Sequence, residues 1–247
     1  MKFNLILASA LILSTLTVAR GADTAGVPSV DSILAKYVAA CGGKEALEKT
    51  TSRAMKFKFE SDATGSSEGE ILSKAPNKQW SKIDLTGVGM MNEGFDGAVA
   101  WAKSPWEGLR VKSGEELAKV KRDSDFHRNL KLKSLYPGLA YKGKEKAGDE
   151  EAYLLESKPT ASSKESFLFG AKTGLLLRQE SQFEGPQGIV KVTMLAQDYK
   201  AFDGLKYPGQ LKLKISAGGQ NFDFTMKVLE VKHNVKIEDA KFAKPSA

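Results

Sequence analysis

Few residues in this chain combine the type and the spacing that chemistry needs. There are two histidines, His127 and His233, far apart in sequence, and a single cysteine, Cys41. Transition-metal sites draw three or four His, Cys or carboxylate ligands at short, patterned intervals, and neither histidine has such neighbours. No metal ligand set and no cofactor are therefore expected. His127 is expected to end a helix, and His233 to lie in a polar turn near the C terminus. Gly65-Ser66-Ser67-Glu68-Gly69 matches the nucleophile-elbow spacing G-x-S-x-G. That elbow needs a strand before the serine and a helix after it, whereas Glu70-Ile71-Leu72 continues as a strand. Gly138 to Lys144 approaches a phosphate-loop spacing, but Glu145 stands where Ser or Thr must hold the metal, so a hairpin is expected instead. Asp and Glu are numerous and scattered. No catalytic residue is assigned, and a hydrolase is the weakest of the available readings.

The elements that would position a site are easier to read. Lys2, an apolar run from Leu5 to Val18 and the small residues of Ala19-Arg20-Gly21 have the order of an export leader, expected over residues 1–21. The run is shorter than the ~20 residues of a membrane-spanning helix. No cysteine stands at the cleavage point to take a lipid. Residues 22–247 remain, enough for one large β domain, and one is expected. Of the 247 residues 41% are hydrophobic, ample for a core, and the formal net charge is +7, two units of it from Lys2 and Arg20. The other cations are spread along the chain, which disfavours a nucleic-acid stripe and leaves attraction to an anionic membrane surface open. With one cysteine, no internal disulfide can form.

Helical periodicity occupies two stretches. Pro28 and Ser29 signal a start, Ile33, Leu34, Tyr37 and Cys41 share one face, and Gly42-Gly43 ends the run; Lys44–Lys49 forms a short second piece. Cys41 on that apolar face is expected to be buried and inert. Ser113-Gly114-Glu115-Glu116 reads as a capping box opening a helix that runs to about Asn129. Elsewhere the period is two. Met55, Phe57 and Phe59 alternate with Lys56, Lys58 and Glu60, and after the Asp203-Gly204 turn Leu211, Leu213 and Ile215 alternate with lysines. Lys172-Thr173-Gly174 and Ala217-Gly218-Gly219 mark hairpin turns. Pro105-Trp106 lies in a turn, where its aromatic ring can touch a membrane or a partner. The fold class expected is α+β, mainly antiparallel β.

Certain segments carry a family resemblance. Val30 to Tyr37 followed by Gly42 to Lys49, Gly94-Phe95-Asp96-Gly97 with Ala100-Trp101, Gly174 to Arg178, and Asp198 to Pro208 resemble the corresponding parts of bacterial outer-membrane lipoprotein-sorting (LolA-like) proteins. The resemblance implies a curved, incomplete β-barrel, a half-barrel, lidded by an N-terminal and a mid-chain helix around a hydrophobic cavity. It also implies a periplasmic location and the binding of lipid or lipoprotein acyl chains. A strongly curved sheet must fill its inner face or bind something there. The candidates for that face are Met55, Phe57, Phe59, Phe167, Phe169, Val190, Val192, Met194, Leu211, Leu213, Ile215, Phe222, Phe224 and Met226. Three functions remain in order: a carrier of lipid or acyl chains, a non-catalytic envelope interaction module on the same fold, and a hydrolase. The expected partners are lipids, with a membrane surface or envelope proteins beside them, and no nucleic acid.

Overall fold

The computed structural model describes residues 26–246 except 63, 64 and 187, so the expected leader lies outside the described residues. Ser29 caps α1 (Val30–Ala40) by accepting a hydrogen bond from Ser32 N, and Gly42 and Gly43, both at positive φ, turn the chain into α2 (Lys44–Lys49). Six strands follow as consecutive hairpins: β1 (Ser52–Ser61), β2 (Gly65–Lys74), β3 (Lys78–Leu85), β4 (Gly89–Phe95), β5 (Ala100–Ser104) and β6 (Gly108–Val111). Helices α3 (Gly114–Asp123) and α4 (Arg128–Leu135) interrupt them. Then come β7 (Ala140–Ala147), β8 (Glu150–Ser157), β9 (Lys164–Gly170), β10 (Leu176–Gly185) and β11 (Gly188–Gln197). A small separate hairpin, β12 (Lys200–Phe202) with β13 (Leu205–Tyr207), precedes β14 (Gln210–Ala217) and β15 (Gln220–His233).

Thirteen strands form one antiparallel sheet in the order β6-β5-β4-β3-β2-β1-β15-β14-β11-β10-β9-β8-β7. A twisted sheet of that width curls, and this one is curved but not closed, with β6 and β7 left as edges. The pairing register puts the expected apolar set on one face. Phe59 lies opposite Met226, Leu213 opposite both Phe224 and Met194, and Ile215 opposite Val192 and Phe222. Between Lys56 and Phe57 the β1–β15 register slips by one residue, so Leu229 is left without a partner and points outward, 57% exposed. The bulge lets Val228 and Val231 both reach the inner cluster despite their odd spacing.

Three clusters hold the sheet. Ile33 and Tyr37 of α1, Cys41 just past its end and Leu132 of α4 pack on Leu155, Phe167 and Phe169. Met55, Phe57, Phe59, Met226 and Val228 form a second cluster, against which Phe202 and Tyr207 of the small hairpin rest. On the opposite face Trp80 and Trp101 pack with Ile237 and Phe242 of the C-terminal tail, where the Trp101 indole donates to Phe242 O at 3.0 Å.

Five local expectations need correction. The mid-chain helix is two helices, because Asp125 accepts from the His127 amide through Oδ1 and Phe126 N is drawn to Pro76 O. His127 therefore precedes α4 instead of ending α3, and its Nε2 meets Thr50 O at 3.0 Å. Ser113 makes no side-chain cap, since Glu116 turns to Arg110. His233 is the last residue of β15, not part of a polar turn: with Nδ1 donating to Asp203, its Nε2 accepts from the Tyr207 hydroxyl at 2.9 Å. Finally, Gly138 to Lys144 is no hairpin but the lead-in and first half of β7.

Candidate ligand-binding site

The inner face has two compartments. Nearer the tips of the β1–β2, β3–β4, β5–β6 and β14–β15 hairpins lies an apolar groove of about 650 Å³, within the ~300–1,000 Å³ usual for small-molecule sites. Phe59, Ile83, Leu85 and Met91 line one side, and Leu213, Ile215, Phe222 and Phe224 the other. Alternation puts them there: Ile83 and Leu85 are two residues apart on β3, with Ile83 paired to Met91 on β4. The Phe224 ring tilts against Phe59 at 4.8 Å and stacks on Phe222 at 6.2 Å, which fixes the wall. Val88 and Trp106, the latter 60% exposed, stand at the mouth.

One rung deeper the lining becomes polar. Ser81 precedes Ile83 by two residues and pairs with Glu93, which follows Met91 by two. These residues open a second cavity of about 330 Å³ beneath α3, bordered by Gln79, Lys112, Glu116, Lys119, Asp123, Ser124 and Phe183. Ion pairs tie α3 to both sides of the sheet. Arg110 grips Glu116 with two hydrogen bonds of 2.7 and 2.8 Å, and Lys112 reaches Glu93 at 3.0 Å. On the other side Lys119 bonds Asp123 at 2.6 Å and faces the buried Glu165 at 3.6 Å, while Thr160 donates to Glu115 at 2.7 Å. Glu165 also accepts from Ser181 and Gln179. Asp123 completes the network by accepting from the Tyr136 hydroxyl, which Arg128 also donates to.

Burial opposes the Asp123 carboxylate, but Lys119 and Arg128 outweigh it and hold its pKa below the ordinary value. Burial likewise works against Glu116, and Arg110 with Lys112 overcomes it in the same direction. Burial drives the Tyr136 hydroxyl upward, so it stays protonated and can donate.

Of the sequence-expected site residues, Phe59, Leu213, Ile215, Phe222 and Phe224 line the apolar groove. Met55, Phe57 and Met226 lie on the same face within the packed cluster beside it. Val192 and Met194 are half-buried on the neighbouring strand. Phe167 and Phe169 are fully buried beneath α1 and α4, in ring contact with Tyr136 and Tyr37. Ile83, Leu85 and Met91 were missed, although the alternation in β3 carries the first two. The ionic compartment had no linear signal. Ser67 sits inside β2 and accepts from Thr86 N at 3.2 Å, without the strand-to-helix turn of a nucleophile elbow.

No family model matches the chain. No curated protein sequence matches it either. Solved structures do. A LolA superfamily protein from Nitrosomonas europaea aligns with a TM-score of 0.55 at 13% identity, covering 88% of this chain and 99% of its own. A DUF1329 family protein from Desulfovibrio piger gives 0.53 at 14% identity, with 88% and 98% covered. The chain has a LolA-like fold. At these identities the likeness is one of architecture alone. Among the described residues no helix is long and apolar enough to cross a membrane.

Proposed function

We propose that this LolA-like chain is a periplasmic carrier that holds a lipid acyl chain in the apolar groove, after removal of residues 1–21 from a single domain of residues 22–247. The observation that carries the reading is the groove itself: about 650 Å³ walled by Phe59, Ile83, Met91, Leu213 and Phe224. Each methylene buried there contributes roughly 0.8 kcal/mol, so one chain of ordinary length can offset the cost of its own ordering. Reaction chemistry finds less support. Ser67 is engaged by a backbone amide, His127 by Thr50 O, and His233 by Tyr207 and Asp203.

The test is binding of the neutral apolar dye N-phenylnaphthylamine, followed by its displacement by single-chain lipids. Phe224 is only half-buried, so Phe224→Glu is expected to leave the circular dichroism spectrum intact. It should weaken dye binding at least tenfold, because burying an unpaired carboxylate costs more than the roughly 1–3 kcal/mol of a neutral polar group left without a partner. A folded wild-type protein that binds no dye, or a folded Phe224→Glu protein that binds it undiminished, would refute the carrier reading.

A further inference from the structure

The two compartments of the inner face are consecutive rungs of the same strands, yet their chemistry is opposite, and this gives any occupant a direction. Beneath α3 the charged groups are spent on one another: Lys112 on Glu93, Glu116 on Arg110, Lys119 on Asp123. What remains open to the cavity is neutral. The Gln79 amide and the Ser81 and Ser124 hydroxyls make no side-chain hydrogen bond among the described residues. Such groups want an uncharged partner that both donates and accepts. The carboxylates of Glu93, Glu116 and Asp123 also outnumber the lining ammonium groups of Lys112 and Lys119, which disfavours an anionic head.

Resting on the acyl-chain reading above, we propose that the ligand is a single-chain amphiphile with an uncharged, hydroxyl-bearing head, bound head-inward. The head lies under α3 between Gln79, Ser81 and Ser124. The tail runs outward past Ile83, Phe59 and Phe224 and ends at Trp106. The reverse orientation would press a methyl terminus against Ser81, Glu93 and Lys112, removing water from polar groups and giving nothing back. The mouth mixes Val88, Trp106 and Phe222 with Asp62, Asn221 and Asp223, so the orientation rests on the neutral Gln79, Ser81 and Ser124 groups at the inner end, which a tail methyl would leave without a partner.

The tryptophans provide the readout. Trp80 and Trp101 are buried on the opposite face beneath the C-terminal tail, and Trp106 alone of the three stands at the groove mouth. Two brominated monoacylglycerols are compared as contact quenchers of tryptophan fluorescence, one brominated at the end of the tail and one near the head. Head-inward binding predicts strong quenching by the tail-end bromines, weak quenching by the others, and loss of the effect in Trp106→Phe. It also predicts that Ser81→Leu weakens displacement of the dye by monoacylglycerol at least tenfold while the dye itself binds normally. Stronger quenching by the head-proximal bromines, dye displacement without quenching by either lipid, or an unaffected Ser81→Leu protein would each overturn the orientation and leave the carrier reading standing. Failure of every single-chain lipid to displace the dye would instead remove the carrier reading, and this inference with it.

Discussion

Replacing Gly69 by alanine tests whether the inner face is packed as described. Gly69 on β2 lies opposite Phe57 on β1, and a Cβ there would fall 2.2 Å from Phe57 Cζ and 2.5 Å from Cε2. Carbon atoms rest at about 3.5–4.0 Å, so the ring must retreat by roughly an ångström or more. It has no free direction, being 2% exposed within a cluster that includes Leu85, Met226 and Val228. Overpacking of this kind costs about 1–3 kcal/mol, offset by about 0.4–1 kcal/mol because alanine has less freedom to lose on folding. Gly69→Ala should therefore destabilise the protein by about 1–2 kcal/mol. Phe57→Leu removes the atoms that clash, so in the double variant most of the Gly69→Ala penalty should vanish, a coupling of about 1–2 kcal/mol. Rescue will be incomplete, because Lys82 O stands 2.9 Å from the same Cβ and is backbone. Urea unfolding of the four proteins measures the cycle. Additivity within about 0.5 kcal/mol would mean that the Phe57 ring does not lie over Gly69, and the wall built on Phe59 beside it would have to be redrawn.

Two further outcomes follow from buried titrating groups. Cys41 is 2% exposed, and burial pushes its thiol up to about 11 although the Tyr37 hydroxyl works against the rise. Thiol reagents at neutral pH should label it no faster than the protein opens, and Cys41→Ala should cost about 1–2 kcal/mol; rapid native-state labelling would contradict this. Asp123 and Glu116 have folded-state pKa values below their ordinary ones, so their stabilisation of α3 is complete above the unfolded values of about 3.9–4.3 and is lost as pH falls through the folded values. Hydrogen exchange in α3 should accelerate relative to β1 and β15 below about pH 4, and protection that stays level with theirs through that range would show that these carboxylates do not hold the helix.

The sequence makes the period-two strands legible because alternation is written locally: Met55, Phe57 and Phe59 share a face in any register that keeps one side of β1 buried. The start of α1 and its glycine stop are local for the same reason. Other features depend on atoms brought from elsewhere. The break between α3 and α4 is made partly by Pro76, far back in the chain, accepting from Phe126 N. The burial of His233 depends on a hairpin folding back to bring Tyr207 and Asp203 to it. Alternation also cannot separate wall from core. Phe167 and Phe224 have the same pattern in sequence, yet Tyr136 covers Phe167 while Phe224 is left to the groove.

The ionic roof keeps open the cavity beneath α3, one rung deeper than that groove. A helix with an apolar stripe laid over Phe95 and Phe183 would sink until its side chains filled the space, since burial of each large side chain contributes about 1.5–3 kcal/mol. No apolar residue of helix α3 is fully buried, and the side chains it turns toward the sheet include Glu116, Lys119 and Asp123. Ion pairs out of water give little net stability, because desolvation takes back most of the attraction. Their geometry is strict, however: Glu116 is held on one side by Arg110 on β6, and Lys119 on the other faces Glu165 on β9. The helix is thereby suspended across the sheet and does not pack into it, and a cavity of about 330 Å³ persists beneath it. Replacing Lys119 by leucine would leave Asp123 and the buried Glu165 without their ammonium partner and turn an apolar side chain toward the space the ion pairs keep open.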